Sequence, residues 1–107
     1  MLAAEPLSAP HLMPVETANI LRRSAGGPVS ADAAALAHMD LLDLRVELFP
    51  YAPFASRVWQ LRDTVTPYDA WYVALAEFLG ATMATLDLRL ARASGPRCDF
   101  VTPPART

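Results

Sequence analysis

Three carboxylates lie at or near the predicted starts of helices, and these are Glu16, Asp69 and Asp87. A carboxylate at such a position can have either of two roles. A carboxylate at this position accepts hydrogen bonds from unpaired backbone N–H groups and interacts favourably with the positive end of the helix. Carboxylates that converge from different elements are also ligands for a divalent metal ion. Spacing alone leaves both interpretations open and favours helix capping for all three residues.

The second half of the chain predicts the elements that position two of these carboxylates. Thr66 is a favourable N-cap, Asp69 falls in the first turn after it, and Gly80 ends that helix. Residues 81–86 predict a short buried parallel strand, after which Asp87 caps a second helix. Ligands of open α/β sheets bind outside the carboxyl ends of strands, so we expect Asp69 and Asp87 to face one crevice.

The remaining pattern alternates short strands with helices, which is typical of a parallel α/β sheet. Further strands are expected at 7–9, 44–49 and 98–101, and further helices at 14–24, from the Ser30 cap onward and at 54–62. In the helix that follows Thr66, the apolar stripe expected to face the core consists of Trp71, Leu75, Phe78 and Leu79.

The composition indicates one small globular domain over residues 1–107, with residues 1–6 and 102–107 poorly ordered. A hydrophobic content of 53% excludes a disordered chain, and a net charge of −2 argues against general coating of nucleic acid but not against a local site. The single cysteine, Cys98, excludes an intrachain disulfide and fits a reducing cytoplasm. We expect neither a signal peptide nor a membrane span.

Two segments of the sequence resemble the PIN domain, and look most like the VapC toxins of toxin–antitoxin pairs. The more specific segment lies within Thr66–Ala93 and contains Tyr68-Asp69-Ala70, Tyr72-Val73-Ala74-Leu75-Ala76-Glu77 and Thr85-x-Asp87-x-Arg89-Leu90-Ala91. The other contains Ala9-Pro10-His11-Leu12-Met13-Pro14-Val15-Glu16, Asn19 and Leu21-Arg22-Arg23. The resemblance covers nearly the whole chain.

This resemblance implies an α/β, PIN-like fold, in which helices flank a short parallel sheet. It also implies a metal-dependent endoribonuclease that cleaves RNA phosphodiester bonds with a metal-activated water. Family members gather four acidic residues around Mg²⁺ or Mn²⁺, of which Glu16 matches the second, Asp69 the third and Asp87 the fourth. The resemblance favours the metal site over capping for Asp69 and Asp87, and leaves both interpretations open for Glu16.

Other polar residues near these carboxylates are candidates for supporting roles. The residues expected to support the site are Thr85 and Asn19, and those expected to hold RNA phosphate are Arg22, Arg23, Arg89 and Arg92. Each has a purely structural alternative, as a strand residue, exposed polar surface or a solvated helix face. The aromatic residues after the Thr66 cap suit base stacking, although packing in a core or against a partner is the commoner use of such residues: Tyr68, Trp71 and Tyr72.

The sequence departs from the family pattern at its start, because the first strand and its terminal Asp have no counterpart before Glu16. We therefore expect an N-terminally truncated domain that lacks the central strand of the sheet. The resemblance also implies a cognate VapB-like antitoxin and a homodimer. One alternative function is an inactive PIN remnant that only binds an antitoxin-like partner, and another is a helical structural domain unrelated to nucleases.

Overall fold

The computed structural model describes residues 7–85 and 87–103 of the chain. Internal contacts divide the chain into two compact units, Met1–Phe49 and Pro50–Thr107. The expectation made for residues 1–6 and 104–107 falls outside the described residues. None of the described helices combines the length and the apolar character needed to cross a lipid bilayer.

The first unit consists of two helices between two short strands. Its elements are strand β1 (Leu7–Pro10), helix α1 (Met13–Ser24), helix α2 (Ala31–Asp43) and strand β2 (Val46–Phe49). Strands β1 and β2 pair in parallel, with Leu7 opposite Val46. The predicted cap of α2 is confirmed, because the Ser30 hydroxyl accepts a hydrogen bond from the Ala33 N–H at 3.1 Å.

The second unit repeats the combination of helices and a parallel strand pair. Its elements are a 3₁₀ helix (Ala52–Phe54), helix α3 (Ala55–Gln60), helix α4 (Pro67–Leu79), strand β3 (Met83–Ala84), helix α5 (Leu88–Arg92) and strand β4 (Phe100–Val101). Strands β3 and β4 pair in parallel, with Met83 opposite Phe100. The predicted α/β class with short parallel strands is confirmed, but the described strands form two separate two-stranded sheets.

Helix α4 supplies half of the residues described as buried in the second unit. The buried members of α4 are Ala70, Val73, Ala74, Leu75 and Ala76. The expected apolar stripe was therefore wrong at two positions, because Phe78 is 71% exposed and Leu79 is 42% exposed. Phe78 still touches the core through an edge-to-face contact with Phe54, with ring centroids 5.7 Å apart. A helix buries the face that its neighbours cover, and here that face carries mainly small side chains.

A bidentate ion pair joins α3 to α4 within this unit. Arg57 Nε and Nη2 donate to Glu77 Oε1 and Oε2 at 2.7 and 2.9 Å. Arg57 Nη2 also donates to the Gly95 carbonyl at 2.8 Å, and Glu77 Oε2 accepts from the Arg97 N–H at 2.6 Å. These bonds fix the segment after α5 against both helices, and those from Arg57 lower the pKa of Glu77.

Candidate metal centre

Asp69 is positioned by the first turn of α4. Thr66 has an extended backbone, and its Oγ1 accepts a hydrogen bond from the Asp69 N–H at 3.4 Å. The same hydroxyl lies 3.5 Å from Asp69 Oδ2, at the limit of hydrogen bonding. Pro67 occupies the start of the helix, where a missing N–H costs nothing. The predicted cap is confirmed, and it holds a half-buried carboxylate at the N-terminus of α4.

Asp87 is positioned by two sets of local hydrogen bonds. Its Oδ1 accepts from the N–H groups of Arg89 and Leu90 at 2.9 and 3.3 Å, which confirms the predicted cap of α5. Thr85 Oγ1 accepts from the Asp87 N–H at 3.0 Å, and the Thr85 N–H donates to the Val101 carbonyl at 3.0 Å. Thr85 thus connects the β3–β4 pair to the backbone of Asp87.

The charges of these two carboxylates interact. Burial raises the pKa of Asp69, the negative charge of Asp87 raises it further, and the Thr66 hydrogen bond lowers it. Within residues 7–85 and 87–103, neither aspartate forms an ion pair with an arginine. Repulsion between the two carboxylates is therefore not relieved by a described basic side chain, and a cation between them would relieve it.

The donor set fits a hard divalent cation. Mg²⁺ typically binds one or two carboxylates and fills its remaining positions with water and substrate phosphate oxygens. In neither unit do the described residues bring three or more His, Cys, Asp or Glu side chains together as metal ligands. Two carboxylates suit an ion that keeps several waters, whereas a structural zinc site needs four protein ligands.

The candidate residues of the first unit lie on α1. Glu16 is in the first turn of the helix and is half-buried. Asn19 Oδ1 accepts from Arg22 Nε and Nη2 at 3.2 and 2.9 Å, so these two side chains pair with each other along the helix surface. Arg22 and Arg23 are exposed in the last turn. The metal-binding role of Glu16, the supporting role of Asn19 and the phosphate contacts of both arginines stay predictions.

The candidate arginines of the second unit lie on α5, the helix that Asp87 caps. Arg89 and Arg92 are both exposed. Arg89 is two residues from Asp87, and its backbone N–H is one of the two that hold the carboxylate. Both guanidinium groups are therefore accessible to a phosphate at this end of the unit, and their binding role stays a prediction.

Sequence reasoning missed the ion pair between Arg57 and Glu77. The available signal was an acidic residue directly after the buried run Val73–Ala76 of α4. A charge next to a buried helix face needs a partner. The partner is 20 positions away, and nothing in the local sequence identifies it.

Residues 1–96 of the chain match the PIN domain family. The chain therefore belongs to the PIN-domain family, and the parallel strand pairs and flanking helices described above agree with that assignment.

Within the family, the chain is similar to curated VapC ribonucleases of Mycobacterium tuberculosis (strain ATCC 25618 / H37Rv). Ribonuclease VapC1 is 39% identical over 95 residues, which cover 87% of this chain and 71% of that protein. Ribonuclease VapC9 is 36% identical over 105 residues, covering 97% and 83%. Ribonuclease VapC12 is 38% identical over 100 residues, covering 92% and 78%. The chain is a PIN-domain protein of the VapC ribonuclease type.

Proposed function

We propose that this chain cleaves RNA phosphodiester bonds as a toxin of a toxin–antitoxin pair, with Asp69 and Asp87 holding Mg²⁺ or Mn²⁺. The observation that carries the proposal is the placement of these two aspartates at the N-termini of α4 and α5 in the same unit, where the charge of Asp87 contributes to the raised pKa of Asp69. The VapC relatives, which are named ribonucleases, support the reaction class. The comparisons give no support to an inactive remnant.

The chain's own residues orient the donors of this site. Thr66 fixes the backbone of Asp69, and Thr85 fixes the backbone of Asp87. Asp87 Oδ1 accepts hydrogen bonds from two backbone N–H groups of α5, and this cap holds the side chain in place. A bound divalent ion supplies a water of lowered pKa as the nucleophile and stabilises charge on the phosphate. The exposed Arg89 and Arg92 then hold phosphates of the RNA.

A protein partner forms part of this proposal. Three large apolar side chains are exposed on one face of α2: Leu36 at 62%, Met39 at 62% and Leu42 at 73%. They recur at a spacing of three residues, which places them along one side of the helix. Exposed apolar side chains in a contiguous row mark protein interaction sites. We propose a VapB-like antitoxin and a second copy of the chain as partners, with the whole chain acting as one PIN-like domain in the cytoplasm.

The test uses substitutions that remove charge while keeping the helix caps. Asn is as good an N-cap as Asp, so Asp87→Asn keeps α5 but removes a negative charge from the metal site. Loss of a supporting residue around a metal costs 10–100-fold, so Asp69→Asn and Asp87→Asn are each expected to reduce RNA cleavage with Mg²⁺ by at least about 100-fold. EDTA should abolish cleavage by the unaltered protein, and Glu16→Gln tests the prediction for that residue.

Asp63→Asn is the matched control, because Asp63 is an exposed aspartate of the same unit. It should leave cleavage unchanged. Thermal unfolding of every variant separates lost chemistry from lost structure. Full cleavage activity in Asp69→Asn and Asp87→Asn, with unchanged dependence on Mg²⁺, would remove both residues from the site.

A further inference from the structure

The loop at residues 94–97, between α5 and β4, is held against the two helices that carry the bidentate ion pair. Arg57 of α3 donates to the Gly95 carbonyl at 2.8 Å, and Glu77 of α4 accepts from the Arg97 N–H at 2.6 Å. Arg57 and Glu77 also bind each other through two hydrogen bonds. The loop and both helices are therefore joined in one network of hydrogen bonds.

Two further contacts hold the same loop. Thr64, in the segment between α3 and α4, donates from Oγ1 to the Ser94 carbonyl at 2.7 Å. Gly95 has a φ of +106°, and a Cβ atom added there would meet Leu61 Cδ2 at 3.0 Å. Leu61 is itself buried, so the loop backbone packs closely on the core of the unit.

On the side that precedes the loop, hydrogen bonds lead through α5 to Asp87. The Ala93 N–H donates to the Leu90 carbonyl at 3.1 Å, and the Leu90 N–H donates to Asp87 Oδ1 at 3.3 Å. The Leu90 side chain is buried, which fixes the middle of this short helix. A displacement of the loop would therefore move an N–H group that orients the Asp87 carboxylate.

On the side that follows the loop, hydrogen bonds lead through both strands to the same residue. The Met83 N–H donates to the Asp99 carbonyl at 2.9 Å, and the Thr85 N–H donates to the Val101 carbonyl at 3.0 Å. Thr85 Oγ1 in turn accepts from the Asp87 N–H at 3.0 Å. The loop is thus connected to Asp87 from both of its ends through hydrogen bonds, and not only along the chain.

The helix to which the loop is attached also carries the other aspartate. Helix α4 is continuous from Pro67 to Leu79, with Asp69 in its first turn and Glu77 about two turns later. The two ends of a short continuous helix move together. Attachment of the loop to Glu77 therefore fixes the elements that orient Asp87 relative to the helix that carries Asp69.

We propose that Arg57 and Glu77 are positioning residues of the metal site, because their ion pair keeps Asp69 and Asp87 in the relative placement that binds one divalent ion. This inference rests on the proposed function, since it takes both aspartates as metal ligands. Arg57 and Glu77 act through the loop and not by contact with the ion. Loss of the pair therefore weakens metal binding and leaves the chemistry of a fully loaded site intact.

The test measures binding of Mn²⁺ to the protein without RNA, from the electron paramagnetic resonance signal of the free ion. Glu77→Gln should raise the Kd for Mn²⁺ by roughly 10-fold, the lower end of the effect of removing a residue that orients metal ligands. Thr64→Val removes the hydrogen bond to Ser94 from an exposed residue, and it should raise the Kd by about 3-fold, as the loss of one neutral hydrogen bond does. This variant keeps the proposal testable if Glu77→Gln does not fold.

A titration of RNA cleavage with Mn²⁺ separates positioning from chemistry. Glu77→Gln should need about 10-fold more Mn²⁺ for half of its maximal rate, and at saturating Mn²⁺ its kcat should stay within about 2-fold of that of the unaltered protein. A general loss of structure would lower kcat as well, and added metal would not restore it.

Val58→Ala is the matched control for lost stability, because Val58 is a buried residue of α3 next to Arg57 and its side chain forms no hydrogen bond. It should lower Tm, because it leaves a cavity in the core, and should leave the Kd for Mn²⁺ unchanged. All proteins are compared well below their melting temperatures.

Three outcomes would overturn the positioning role. They are unchanged Mn²⁺ affinity in Glu77→Gln and Thr64→Val, an equal rise of the Kd in Val58→Ala, and a kcat of Glu77→Gln that stays low at saturating Mn²⁺. Asp69→Asn and Asp87→Asn, measured in the same Mn²⁺ titration, report separately on the proposed function. If both bind Mn²⁺ like the unaltered protein, or if the unaltered protein binds none, the metal site and the positioning role both fail. If both lose Mn²⁺ while Glu77→Gln and Thr64→Val keep it, only the positioning role fails.

Discussion

Removing the negative charge of Glu77 tests the contact that fixes the second unit. In Glu77→Gln, one amide oxygen remains as an acceptor, but the amide nitrogen faces a donor of Arg57 or the Arg97 N–H. Hydrogen bonds to charged groups contribute about 1.5–3 kcal/mol, whereas exposed ion pairs contribute less than about 1 kcal/mol. The Arg57 and Glu77 side chains are 22% and 15% exposed, so their ion pair is partly buried. Its contribution should therefore exceed that of an exposed ion pair. We expect a loss of about 2 kcal/mol in the free energy of unfolding, or about 10 °C in Tm.

The effect of this substitution depends on pH in a defined direction. The hydrogen bonds from Arg57 are the largest cause that lowers the pKa of Glu77 in the folded protein. The stabilisation is therefore complete above the pKa of an unfolded-state glutamate, about 4.3, and is lost as pH falls through the lower folded-state pKa. The difference in unfolding free energy between Glu77→Gln and the unaltered protein should be constant near pH 7 and should shrink below about pH 4.

Urea unfolding followed by circular dichroism at pH 7 and at pH 3.5 measures both quantities. Arg57→Gln combined with Glu77→Gln should cost less than the sum of the two single changes, because both remove the same contact. Asp63→Asn, which changes an exposed carboxylate, should stay within about 0.5 kcal/mol of the unaltered protein. If Glu77→Gln lowers the free energy of unfolding by less than about 0.5 kcal/mol and keeps the pH dependence of the unaltered protein, the bidentate pair contributes nothing in solution.

Two further substitutions probe single positions. Gly80→Ala should cost about 1–2 kcal/mol in unfolding free energy, because Gly80 ends α4 with a φ of +63° that disfavours a Cβ atom. Gly27→Ala is its control, since the added Cβ meets only the Ser24 carbonyl oxygen at 3.7 Å, and equal losses for both glycines in urea unfolding would contradict this explanation. Burial raises the pKa of the Cys98 thiol, so its alkylation by iodoacetamide at pH 7 should be slower than that of glutathione and should accelerate with rising pH. Cys98→Ser should retain RNA cleavage, and loss of cleavage in a folded Cys98→Ser protein would show that the thiol is needed for the reaction.

The amino-acid sequence by itself determined the local features of the site. Thr66 and Asp87 were predicted as helix caps, and Gly80 was predicted as a helix end, because each depends on a residue type and a backbone conformation within a few positions. The family resemblance identified Asp69 and Asp87 as a pair of metal ligands, and that role stays a prediction. Short-range physical chemistry thus fixed where each carboxylate sits on its own element.

The tertiary structure decided what local patterns do not specify. Phe78 lies in the predicted apolar stripe but is exposed, because the neighbours of a helix decide which of its faces is covered. Glu77 finds Arg57 at a separation of 20 residues, a pairing that no helical period describes. Tyr68 and Trp71 share one helical turn, yet Trp71 is half-buried and packs on Tyr51, whereas Tyr68 is 62% exposed. Burial, and not residue type, therefore distinguishes these two aromatic residues. Each of these outcomes depends on contacts between residues distant in sequence, which exist only once the elements pack together.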